Sequence, residues 1–156
     1  MLRVQLNLED QSDLNAAKAQ WKFAAGLVPG KPNQGLLEGL PSSPARLREY
    51  DDSTWDVCDN IQIGRSAGLT FGWFRINLTI PTQVAGRDIT GYRLFFETCL
   101  DDYGEIWVNG QCDRVNGTVA GCNIPQRVPG AAEAIPGQHY VPACPAAPRP
   151  TAAPAG

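Results

Sequence analysis

The segment "WFRINLTIP", residues 73–81, constrains the fold of this chain more than any other stretch. Phe74, Ile76, Leu78 and Ile80 alternate there with Arg75, Asn77 and Thr79. A period of two gives an extended strand one apolar and one polar face, which is the pattern of a half-buried antiparallel sheet. Pro81 ends the run, since proline has no N–H for a ladder. Beyond the turn "TQVAGRDITG", the segment "YRLFFET" repeats the pattern with Leu94 and Phe96 on one face. "EIWVNGQC" supplies a third strand, in which Ile106 and Val108 share a face and Asn109-Gly110 reverses the chain. Asn-Gly suits a type I′ hairpin, whose two central residues both need positive φ. Gln20 to Ala24 reads as a further strand.

The flanks are different. Residues 1–19 form an N-terminal extension in which "EDQSDLNAAKAQ" predicts a short helix capped by Ser12 or Asp13. A long Gly- and Pro-punctuated excursion follows residue 24. It reads as ordered loop, because Leu27, Val28, Leu36, Leu37 and Leu40 give it side chains to bury. From His139 onward, "HYVPACPAAPRPTAAPAG" is mostly Ala and Pro, which predicts a disordered or polyproline-like tail over 139–156. With 156 residues the chain suits one domain, and 16 Gly and 13 Pro favour many turns. The expectation is a single antiparallel, all-β sandwich over residues 20–138.

Several function classes lose support at this stage. Net charge is −3 and no Lys/Arg cluster is present, so nothing points to nucleic acid. The apolar runs are too short to span a bilayer, and the start lacks the three regions of a signal peptide; the expected location is cytoplasmic, away from membranes. Cys58, Cys99, Cys112, Cys122 and Cys144 are odd in number and include no C-x-x-C, and His139 is the single histidine. That set does not make a zinc site, and buried free thiols are the simpler expectation. The sequons at Asn77 and Asn116 matter only in a secreted protein.

"YDDSTWDV", then "GWFRINLTIP", then "LFFETCLDDYGEIWVNGQ" carry, in that order, the motifs of a known domain. Asp51, Asp52, Ser53 and Trp55; Trp73, Phe74, Arg75 and Pro81; Phe96 and Glu97; and Trp107, Val108, Asn109 and Gly110 occupy the pattern. In this the chain resembles the N-terminal sugar-binding domain of family 2 glycoside hydrolases over about residues 20 to 138. Phe74 stands where that family commonly has Tyr. The resemblance implies a galactose-binding-like β-sandwich of jelly-roll type, a carbohydrate ligand and a partner enzyme or catalytic domain. The family's catalytic glutamates lie on a separate barrel domain, so no catalytic residue carries over. It also implies two closing strands where the Pro/Ala tail begins, which leads us to expect a truncated or frame-shifted sandwich lacking them.

"DDYGEIWVNGQC" holds Asp101, Asp102 and Glu105 within five positions. Glycosidases hold two carboxyl groups roughly 5 to 9.5 Å apart across a sugar. Adjacent side chains on extended backbone point to opposite faces, so Asp101 and Asp102 would not converge on one oxygen. They suit a turn before the hairpin. A structural calcium ion held by Asp101, Asp102 and Glu105 is a second reading, since hard cations take carboxylate oxygens. A small glycoside hydrolase or lactone-processing enzyme using Asp102 or Glu105 with Tyr103 is a third. Trp73 and Trp107 fall opposite the apolar stripe of their own strands. Either they stack on sugar, with Asp101, Asp102 and Tyr103 supplying hydrogen bonds, or the loop at 26 to 47 covers them as core. Trp55 is expected to plug the sheet, and Arg75 to pair with Glu97 across strands. A structural or protein-interaction sandwich with no free-sugar ligand stands as the alternative function.

Overall fold

The computed structural model describes residues 2–31, 43–61, 71–100, 103–120 and 125–147. One helix, α1 (Gln11–Ala16), precedes the strands. Its N-cap is Asp10, not Ser12 or Asp13: the Asp10 carboxylate accepts from the Ser12 and Asp13 N–H groups at 2.9 and 3.1 Å. Asp13 turns its own carboxylate to the Asn7 N–H, 2.7 Å away. No helix among the described residues is long and apolar enough to cross a membrane.

The strands in chain order are β1 (Gln20–Ala25), β2 (Asp56–Val57), β3 (Gly72–Thr79), β4 (Gln83–Val84), β5 (Arg87–Asp88) and β6 (Leu94–Cys99). They continue as β7 (Tyr103–Glu105), β8 (Trp107–Val108), β9 (Gln111–Cys112), β10 (Thr118–Ala120), β11 (Pro125–Ala131), β12 (His139–Tyr140) and β13 (Pro142–Ala147). The protein is all-β, and the pairing among the described residues is antiparallel. A nine-stranded sheet runs β10-β7-β13-β3-β1-β2, with β12 beside β3 and the β8–β9 hairpin beside β13. Two two-stranded sheets, β11–β6 and β4–β5, complete the described structure.

The alternation in β3 divides the large sheet into two faces. Ile76 and Leu78 join Trp21, Phe23, Cys144, Phe96 and Val128 in one hydrophobic cluster, so β6 and β11 lie over that face. Trp73 lies on the opposite face with Leu27, Ala45, Trp55, Phe71 and Trp107. Trp73 and Trp107 therefore do oppose the apolar stripes of their strands, and the chain at Leu27 and Ala45 covers them. The hairpin turns as expected, with positive φ of 51° at Asn109 and 80° at Gly110. Gly72 is required where it stands, since a Cβ there would lie 2.5 Å from the Phe23 ring.

The tail expectation is corrected over residues 139–147. They form β12 and β13, and β13 is interior: Ala143 pairs with both Arg75 of β3 and Trp107 of β8, and Ala146 with both Gly72 and Gly104. Burial offsets what proline removes, since Val141, Pro142, Cys144 and Pro145 are all fully buried. Successive N–H groups on a strand point to opposite sides. Pro142 and Pro145 are three apart, so each flanking ladder forfeits one donor and neither loses two. Residues 148–156 lie outside the described residues.

Candidate functional site

Three polar constellations gather on the face that carries Trp73. The first is built on register. Lys22 of β1 sits directly opposite Arg75 of β3, so two cations lie side by side on the sheet. The loop residue Asp52 answers both, with Oδ1 2.9 Å from Lys22 Nζ and Oδ2 2.8 Å from Arg75 Nε. Arg75 is 1% exposed and donates further to the carbonyls of Ala45 (2.9 Å), Arg48 (3.1 Å) and Tyr50 (3.2 Å). A planar guanidinium with its donors fanned out pins a loop at several points. The expected Arg75–Glu97 pair does not form, because β3 and β6 belong to different sheets. Glu97 faces Arg127 of β11 at 2.6 Å and Arg3 at 3.5 Å.

The second constellation is Tyr103, Glu105 and Trp107, one face of β7 and β8. Glu105 is 3% exposed. Its Oε2 accepts from Trp107 Nε1 at 2.9 Å and its Oε1 from Arg114 at 2.7 Å. The Arg46 and Arg114 guanidiniums lie 5.4 and 5.2 Å from the Trp107 ring centroid. Burial, then the Glu105 charge, push the Tyr103 hydroxyl and the Cys112 thiol up from their ordinary values. Glu105 is thus engaged in an internal ion pair with Arg114. Trp73 and Trp107 offer no open ring to a sugar, being 0% and 5% exposed, and Trp73 Nε1 is tied to the Leu27 carbonyl at 2.8 Å. Asp101 and Asp102 lie outside the described residues. Among those residues, no three His, Cys, Asp or Glu side chains converge as a metal-binding group.

The third constellation was not anticipated. Between the turn at Pro29–Gly30 and the loop from Tyr50 to Asp56 lies a cleft of about 300 Å³. Tyr50 and Trp55 line it with ring centroids 5.6 Å apart at 59°. Thr54 and Asp56, both exposed, stand at its rim. The loop is shaped from within: the Asp51 carboxylate accepts from the Ser53 N–H at 2.9 Å, which holds the Asp51 pKa below the ordinary value. Asp52 anchors the same loop to Arg75. Trp55 plugs the sheet as expected, and its neighbours make it one wall of an opening. The available signal was two aromatics five apart, flanking the polar run "DDST".

The first constellation binds the fold together, the second leaves Tyr103 and the Arg114 guanidinium partly open beside Trp107, and the cleft sets exposed Thr54 and Asp56 beside Tyr50. Neither protein-family models nor curated proteins gave a match to this chain.

Proposed function

We propose that this chain is a non-catalytic carbohydrate-binding module: a jelly-roll sandwich of galactose-binding-like type, akin to the sugar-binding domain of family 2 glycoside hydrolases. The order of motifs from Asp51 to Gly110 supports the kinship, and the strands at 139–147 supply elements where closing strands are expected. The observation that carries the function is the Tyr50–Trp55 cleft. Its volume, about 300 Å³, is at the lower end of ligand pockets and suits one sugar unit. The half-buried Tyr50 ring takes the C–H face of a pyranose, with the buried Trp55 behind it, and the Asp56 carboxylate and Thr54 hydroxyl accept or donate to its hydroxyls. Affinity is weak, because such hydrogen bonds replace equally good ones to water.

Titration calorimetry on the purified chain, guided by a glycan array, tests this. Binding in the millimolar range is expected, falling about tenfold in Asp56→Ala, the loss of one charge-assisted hydrogen bond. Trp107→Phe leaves it unchanged. If no glycan binds at millimolar concentration, or Asp56→Ala binds as well as the unaltered chain, the proposal is wrong.

A further inference from the structure

The charge and the backbone at the Tyr50–Trp55 cleft narrow the kind of sugar it takes. Among the described residues that line it, Asp56 is the one charged group, and it is exposed. Lys22 and Arg75, the cations that border the loop, are both held by the Asp52 carboxylate, so neither neutralises Asp56. Arg75 approaches the Tyr50 ring to 5.8 Å from its centroid, but it is 1% exposed and Asp52 answers its charge.

A second acceptor comes from the way the β1–β2 ladder stops. The Cys58 N–H donates to the Trp21 carbonyl at 2.9 Å, and Phe23 stands opposite Asp56. In an antiparallel pair such positions alternate, so the odd residues of β1 turn their backbone groups toward β2. Ala25 is the next of them. Because β2 begins only at Asp56, the Ala25 N–H and carbonyl meet no strand on that side, and exposed Ala25 lines the cleft. With the Asp56 carboxylate and the Thr54 hydroxyl, acceptors outnumber donors at the opening and one of them is ionised. An ammonium group is the matching partner: it has three N–H donors and no acceptor, and an aromatic face attracts it.

We infer that the sugar recognised here carries a free amine, as a 2-amino-2-deoxyhexose does, its ammonium meeting the Asp56 carboxylate while the pyranose lies on Tyr50. It rests on the carbohydrate reading above and narrows that reading to one class. Acetylating the amine removes the charge, and a uronic acid sets a second anion against Asp56.

The full chain is titrated calorimetrically at pH 6 and low ionic strength with the methyl glycosides of glucosamine, N-acetylglucosamine, glucose and glucuronic acid. Glucosamine should bind about fivefold more tightly than glucose or the acetylated sugar, the upper range for an exposed ion pair, and glucuronic acid most weakly. High salt should bring glucosamine and glucose level in the unaltered chain, an arm that needs no variant. Asp56→Asn, which keeps an acceptor oxygen and loses the charge, should do the same. Glucose binding as tightly as glucosamine at low salt overturns the inference and leaves the carbohydrate reading standing. A preference that survives both high salt and Asp56→Asn overturns it too. If none of the sugars binds, the carbohydrate reading itself fails, and the amine preference falls with it.

Discussion

The two faces of the large sheet are closed by different means. On the Trp73 face a single loop is pulled down by charge: Arg75 holds three loop carbonyls and Asp52, and Trp73 holds the Leu27 carbonyl. On the Ile76 face a two-stranded sheet and an unpaired N-terminal segment lean on apolar side chains and leave about 1220 Å³ between the layers. Hydrogen bonds have direction and can seat irregular backbone closely, whereas the hydrophobic effect has none and tolerates a gap. The same strand, β3, serves both faces through alternate residues. The closed face should therefore be brittle and the open one forgiving.

The largest expected effect breaks the closed face. Arg75→Met removes a buried guanidinium, leaves Asp52 with Lys22 alone and strands the carbonyls of Ala45, Arg48 and Tyr50. Losing one partner of a buried, hydrogen-bonded pair costs about 3–5 kcal/mol, read here as a lower urea midpoint. Adding Asp52→Leu should recover only part, because Lys22 then loses its carboxylate partner, keeping only the Asp52 carbonyl, and the three carbonyls remain unsatisfied. A loss under about 1 kcal/mol would mean that the loop is held by packing alone.

Matched truncations sharpen the comparison. Phe71 and Phe96 are 6% and 8% exposed, one on each face. Phe→Ala in a core costs about 3–5 kcal/mol when neighbours cannot collapse. Phe96 already borders the cavity, so its removal enlarges a gap where Phe71→Ala creates one. Phe96→Ala should be milder by about 1–2 kcal/mol in the same denaturation experiment. Equal losses would show that the interlayer space is effectively closed in solution.

What was legible in the sequence follows the same division. Local period sufficed for β3, for the Asn109-Gly110 hairpin and for the placing of Trp73 and Trp107 opposite the apolar stripes, because each depends on neighbours two residues away. Pairing across the fold was not legible. Arg75 was matched to Glu97 on grounds of charge, but its partner is set by which loop crosses β3, and no local pattern records that. β13 was hidden by its prolines, which argue against an interior strand unless the two ladders share the loss and the side chains are fully buried. The alternation of Leu2, Val4, Leu6 and Leu8 with Arg3, Gln5 and Asn7 was available and marks the segment that roofs the cavity. Trp55 was read as a plug against the sheet, and it is buried there. The cleft beside it is formed by Pro29, Gly30 and Tyr50 meeting across the fold, which spacing along the chain does not convey.

The smallest effect reports directly on how dry the open face is. Cys144 of β13 points into the interlayer cluster beside Phe74, and burial, with a minor contribution from the Cys112 charge, pushes its thiol from 9.0 up to about 12. Between those values the unfolded chain has lost the proton and the folded chain keeps it. Stability is therefore intact below pH 9 and declines as pH rises through the window toward 12, by about 1.4 kcal/mol per pH unit for one proton. Tyr103 and Tyr140, both raised by burial, titrate above 10.0 and add their own slope, so the informative quantity is the difference from Cys144→Ala. In urea melts at pH 8.5, 9.5 and 10.5, the unaltered chain should lose ground progressively to the variant. Parallel losses in the two would mean that water reaches Cys144 and that the space between the layers is wet.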